Sequence, residues 1–228
     1  EVFCLEDGVI SRPLRLIALA LSVGFLGACA TPVAPYDYAA FKQSRPSSML
    51  VLPPINETPD VKATHAVMAQ AAMPLAEAGY YVFPMSLVDE TFKQNGLTSS
   101  SDIHEVLPAK LREIFGADAA VYIRVKRYGT SFQLINSETA VAVDGRIVDL
   151  RSGQVIWEGS AAASSSESDS SSQGGLVGLL VKAVLSQVIG TATDASFNYA
   201  AIANARLLAA PRKNGVLFGP RSVSYQKD

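Results

Sequence analysis

Strand-sized apolar runs alternate with helix-sized amphipathic stretches through the first half of this chain, and then the hydrophobic period drops to two. Met49-Leu-Val-Leu52, closed by Pro53-Pro54, reads as a buried strand. Thr58-Pro59-Asp60 supplies an N-cap hydroxyl, a proline at the first helical position and an acid in the first turn. The helix it opens sets Thr64, Met68, Ala71, Leu75 and Ala78 on one face, with a kink expected at Pro74 and a stop at Gly79. Tyr80-Tyr-Val-Phe83 is the second strand, and Val88 to Gln94 a short helix ended by Asn95-Gly96. A further helical segment starts near Ser101 and restarts at Pro108; its apolar side is Leu107, Leu111, Ile114 and Phe115, and Gly116 stops it.

From Ala119 to Tyr128 the pattern alternates, with Val121, Ile123 and Val125 on one face and Tyr122, Arg124, Lys126 and Tyr128 on a solvated one. Thr139 to Leu150 and Gln154 to Glu158 are two more strands around the turn Arg151-Ser152-Gly153. The fold class that follows is α/β: a mixed sheet of parallel strand–helix units, then an antiparallel meander, with helices packed on it.

The N-terminus is built differently. Arg12 and Arg15 precede the apolar run Leu16 to Leu26, which at ~1.5 Å per residue spans about half of a bilayer core and so fits a signal peptide, not a spanning helix. Leu26-Gly27-Ala28-Cys29 has the order of a lipobox: small residues admit the peptidase, and the Cys29 thiol accepts diacylglycerol. The expected organisation is a signal peptide over 1–28, a lipidated Cys29 with a tether to 47 broken by Pro32, Pro35 and Pro46, a single domain over 48–210, and a loose C-terminal tail over 211–228. Glu1, Glu6 and Asp7 suit a signal poorly; read from Val9, the signal is compact. Ala30 follows the lipidated position where an inner-membrane retention signal would place Asp, so the expected address is the outer membrane, periplasmic face, with surface exposure left open. Several acyl chains on one cysteine anchor stably where a single chain is marginal.

The other cysteine, Cys4, lies in the expected signal, which leaves the main domain without a thiol and dependent on core packing. A net charge of -2 gives no electrostatic footprint for nucleic acid. Ser160 to Gln173 holds eight serines and no large apolar residue, and is expected as a mobile loop. Leu176 to Ile189 is apolar nearly all round and too short to span a bilayer, so either the core or a partner should cover it. Leu180 and Val184 on that helix, with Tyr122 and Arg124 on the alternating strand, are the candidate interface residues of a homodimer. A final helix, Asp194 to Leu208, precedes Pro211.

Val51-Leu-Pro-Pro-Ile-Asn-Glu-Thr-Pro-Asp-Val-Lys-Ala63, Pro74-Leu-Ala-Glu-Ala-Gly-Tyr-Tyr-Val82, Val88-Asp-Glu-Thr-Phe-Lys-Gln-Asn-Gly-Leu97, Lys110-Leu-Arg-Glu-Ile-Phe-Gly-Ala-Asp118 and Val148-Asp-Leu-Arg-Ser-Gly153 resemble a family of Gram-negative lipoproteins that includes a genome-derived Neisseria vaccine antigen. The resemblance implies an α/β domain similar to the N-terminal domain of TolB and to the periplasmic part of CsgG-type lipoproteins. It also implies a dimer and a CsgG-like envelope lipoprotein as partner. The family has no accepted biochemical activity, so it transfers no functional residues.

The residues themselves offer little chemistry. His65 and His104 are the only histidines, at no metal-ligand spacing, and both read as solvated surface groups. No G-x-S-x-G elbow occurs, and Gly174-Gly175 lacks the Lys-Ser/Thr pair of a phosphate loop. Asp89-Glu90 and Asp102-Glu105 read as first-turn acids. No cofactor, metal or enzymatic activity is expected. Asn56-Glu57-Thr58 lies between a strand's carboxyl end and a helix N-terminus, where α/β folds place ligands; turn and capping chemistry is the plainer reading there, a small-ligand or catalytic loop the rival one. Trp157 is expected to pack under the sheet. The function that follows is a non-enzymatic binding or assembly component of an envelope or transport complex.

Overall fold

The computed structural model describes residues 35–132, 137–167 and 195–227. In chain order the described elements are α1 (Ala39–Ser44), β1 (Ser48–Val51), β2 (Ile55–Asn56), α2 (Ala63–Glu77), β3 (Tyr81–Val82), α3 (Met85–Gln94), α4 (Ser100–Glu105), α5 (Pro108–Phe115), β4 (Ala119–Phe132), β5 (Ser137–Asp149), β6 (Val155–Ser164) and α6 (Ala195–Leu208). Met49, Leu50 and Val51 are all fully buried, the mark of a strand covered on both faces, and β1 accordingly sits inside the sheet. The order is β3-β1-β4-β5-β6, with β2 continuing alongside β4. β1 is parallel to β3 and β4, while β4, β5 and β6 form the antiparallel meander, so the mixed sheet expected from the change of period is present.

One layer of helices is α2 and α6, which pack on each other; the Asn204 amide on α6 donates to Val67 O at 3.0 Å on α2. α6 also lies along the meander, where Leu207 fills the space over Gly145 and a Cβ there would come within 2.8 Å of its side chain. Trp157 is 1% exposed, donates to Asn214 O at 3.2 Å, and lies so close to Gly159 that a Cβ would fall 2.5 Å from the ring. Leu50, Leu52, Leu75, Leu111, Leu207 and Leu208 are fully buried as well. Each such side chain contributes about 2 kcal/mol, against about 0–1 for a surface ion pair, so stability resides in the core and the surface charges are free to serve other ends.

Four features differ from the expectation. α2 starts at Ala63 and not at Thr58, because Thr58 spends its amide and hydroxyl on Asn56, while Asp60 accepts the Lys62 amide at 2.9 Å. It runs through Pro74 and ends within a turn, at Glu77, with Gly79 at φ +96°. Residues 36–47, whose sequence allows either an extended tether or a segment packed on the domain, take the packed course: Phe41 is buried, the Tyr38 hydroxyl donates to Gly215 O, and the Tyr36 hydroxyl accepts from the Glu158 amide. β6 extends to Ser164, into the expected serine loop, because Ala161 and Ala163 lie on its inner face. The segment after Pro211, expected as a loose tail, is a strap. Gly219 donates to Ala78 O at 2.8 Å, Arg221 to Gly79 O at 3.1 Å, and the Tyr80 hydroxyl to Leu217 O at 2.6 Å.

Just before β4, Asp118 accepts from the Ser47 and Ser48 amides at 3.0 and 3.2 Å, which fixes the start of β1. Asp149 beside it accepts from the Ser44 hydroxyl and from the Arg151 and Ser152 amides. Burial raises its pKa, but these donors outweigh burial and hold it below the ordinary carboxylate value.

Candidate functional site

The 53–58 loop is shaped by its own polar groups. Asn56 Oδ1 accepts from the Thr58 amide at 2.9 Å and hydroxyl at 2.8 Å, and its Nδ2 donates to Asp60 O at 2.8 Å. That is an Asx turn closed on both sides, and it leaves Asn56 and Thr58 engaged within the loop. Glu57 points the other way, across to β4. Arg124 reaches it at 2.9 Å and Lys126 at 2.7 Å, and Asp144 on β5 stands 4.0 Å from the Lys126 ammonium. Lys126 first, then Arg124, hold the Glu57 carboxyl below its usual pKa.

Next to this cluster the expected solvated face of β4 is partly closed. Tyr122 is 5% exposed; its ring meets the His104 ring edge-to-face with centroids 5.1 Å apart, and the Arg146 guanidinium lies 4.8 Å from its centroid. It is therefore not available as the surface contact expected of it. Burial lifts its phenol pKa, and Arg146 opposes the lift. Tyr128 leaves the outer face altogether. The ladder slips between Val125 and Arg127, and after this bulge Tyr128 pairs with Val141 on the buried side, at 6% exposure.

His104 is the second correction. Its Nε2–H donates to Pro53 O at 3.0 Å, which ties α4 to the 53–58 loop, and burial, the largest cause, pushes its pKa down to about 4. The neighbouring Arg146 and Arg124 charges push the same way, while the Pro53 contact opposes them. His65 is exposed on α2, as read.

Beyond Tyr122 the outer face of the meander stays open among the described residues. Arg146, Glu158 and Ser160 are exposed, and the register sets Arg124 opposite Asp144 and Arg146 opposite Glu158. Arg127 and Glu138 pair at 2.8 Å farther along. The result is a surface of interleaved charge on three strands. Sequence reasoning found Arg124 but missed Arg146, Asp144 and the role of His104. The bulge after Val125 shifts the register along β4, so counting along the sequence does not give these pairings. The remaining candidates, Cys29, Leu180 and Val184, lie outside the described residues. Among the described residues no cluster of His, Cys, Asp and Glu could hold a metal ion, and no helix is long and apolar enough to cross a membrane.

A mixed α/β domain preceded in sequence by a lipobox has the layout of an exported lipoprotein. The family model described as "Putative lipoprotein GNA1162-like" matches residues 36–221, and the chain belongs to that family. It is 50% identical over 216 residues to "Putative lipoprotein NMB1124/NMB1162" of Neisseria meningitidis serogroup B, spanning 94% of this chain and 99% of that protein. The crystal structure of lipoprotein GNA1162 from Neisseria meningitidis is 51% identical, covers 64% of this chain and 100% of its own, and superposes with a TM-score of 0.52. The resemblance read from the sequence and the mixed α/β fold both stand on these matches.

Proposed function

We propose that this protein is an outer-membrane lipoprotein, held by lipid on Cys29 and facing the periplasm, that acts without catalysis as a binding component of an envelope assembly. The observation that carries this reading is the open meander face, where Arg124, Asp144, Arg146, Glu158 and Ser160 present both charge signs on a rigid three-stranded platform. Interleaved charge suits another protein, because complementary rims set register and orientation; nucleic acid would ask for one sign. The lipobox and the family support the membrane attachment in this reading. The rival reading, a small-ligand or catalytic site at Asn56, Glu57 and Thr58, is disfavoured by the loop's own bonding: its side chains are engaged with each other and with Arg124 and Lys126. The partners proposed are a second copy of this chain and, following the family resemblance, a CsgG-like envelope lipoprotein.

Photo-crosslinking in intact cells tests this. A benzoylphenylalanine at Arg146 or Ser160 should give a discrete adduct, to a second copy or another envelope protein, while the same group at exposed Glu77 on α2 should not. No adduct from either meander position, or the same adducts from position 77, would overturn the reading.

A further inference from the structure

A cavity of about 240 Å³ opens between α1 and the C-terminal strap, on a part of the molecule that the meander face does not include. Phe41, Pro46 and Tyr80 form one wall and Leu217, Phe218 and Tyr225 the other. The Tyr80 hydroxyl is spent on Leu217 O, so its ring offers the cavity an apolar surface. Two cations stand in the lining, Lys42 and Arg45, and among the described residues no carboxylate does. Among the described residues neither forms an ion pair; the Arg45 Nε–H donates to the Lys42 carbonyl, leaving the outer guanidinium edge open. A half-open apolar groove, with two cations at its edge that are unpaired among the described residues, has the composition of a site for an amphiphilic anion.

Arg45 is the left-handed C-cap of α1, at φ +45° with its amide donating to Phe41 O at 2.9 Å, so the turn that ends the helix places this cation at the cavity. Gln226, at φ +61°, brings an amide to the same cavity from the strap.

We infer that the cavity between α1 and the strap binds a small organic carboxylate, its apolar body against Phe41, Tyr80 and Leu217 and its carboxylate between Lys42 and Arg45. The volume equals that of about eight water-sized groups, which admits a phenyl ring with a short chain or a medium alkyl chain. A ligand of that size should bind in about the millimolar range.

The test uses the full chain in zwitterionic micelles, titrated calorimetrically with 3-phenylpropanoate against a blank of empty micelles. Saturable binding is expected, with the isosteric neutral alcohol 3-phenylpropan-1-ol weaker by about tenfold or more, since a charge-assisted contact is lost. Lys42→Gln with Arg45→Gly should weaken the carboxylate by a similar factor and leave the alcohol unchanged. Both positions are exposed and glycine accepts the φ at 45, so the fold should survive, which circular dichroism checks. Equal binding of acid and alcohol, wild-type affinity in the double variant, or no saturable heat below about 10 mM would overturn the inference.

Discussion

At position 104 a histidine is held neutral by its surroundings, and this makes the domain sensitive to mild acid. Its folded pKa of about 4 lies below the ordinary 6.5, so as pH falls through that interval the unfolded chain takes up the proton first and the folded state loses ground. Discounting for the solvent that still reaches the ring, the loss should be about 1 kcal/mol between pH 7 and pH 5, where most carboxylates remain ionised. Urea melts at the two pH values measure it. His104→Gln keeps an N–H for Pro53 O and removes the proton, and should flatten the difference; an unchanged slope in the variant would contradict the assignment. The histidine itself was plain in the sequence, but its surroundings were not. Nothing at 104 announces that α4 will lean on Tyr122, and nothing in the alternation of 119–128 announces a bulge after Val125. Residues whose role is set within one strand or turn, such as Val121, Ile123 and Gly116, were legible because period and φ decide them. Residues whose role is set across the fold were not.

The elements themselves followed the pattern closely wherever start and stop signals sit in the chain. Asn95-Gly96, Pro108 and Gly116 bound α3 and α5 as read. The exceptions are instructive. Thr58-Pro59-Asp60 looks like a helix start, yet the first residue is captured by Asn56 and the helix waits until Ala63. The strap after Pro211 carries no periodicity at all, and its order comes from main-chain bonds and one close passage of two glycines. A Cβ on Gly219 would lie 2.6 Å from Gly79 O and 2.8 Å from the Tyr80 ring, and backbone cannot yield as a side-chain tip can. Gly219→Ala should therefore cost about 1–3 kcal/mol in chemical denaturation and speed hydrogen exchange at the Arg221 amide, which is bonded to Gly79 O. Wild-type stability with full protection at Arg221 would show that the strap is not seated this way.

For the whole molecule, a domain that keeps its polar groups occupied with one another and its stability in the core is suited to presenting a surface. The proposed function uses the meander as that surface, with an N-terminal lipid setting where it is presented. A platform of both charge signs gains little intrinsic affinity from each pair, so the proposed binding would depend on being held near the partner, as tethering to one membrane would do. The proposed function therefore requires a lipid at Cys29, which the sequence indicates through the order Arg15, Leu16 to Leu26, Gly27, Ala28 and Cys29. The direct measurement is metabolic labelling with palmitate, comparing the wild type with Cys29→Ala in fractionated envelopes. The wild type should carry label, lie in the outer-membrane fraction and migrate as the shortened mature form, whereas the variant should be unlabelled and remain at precursor length. Equal labelling of the two proteins, or an unlabelled wild type, would contradict the account.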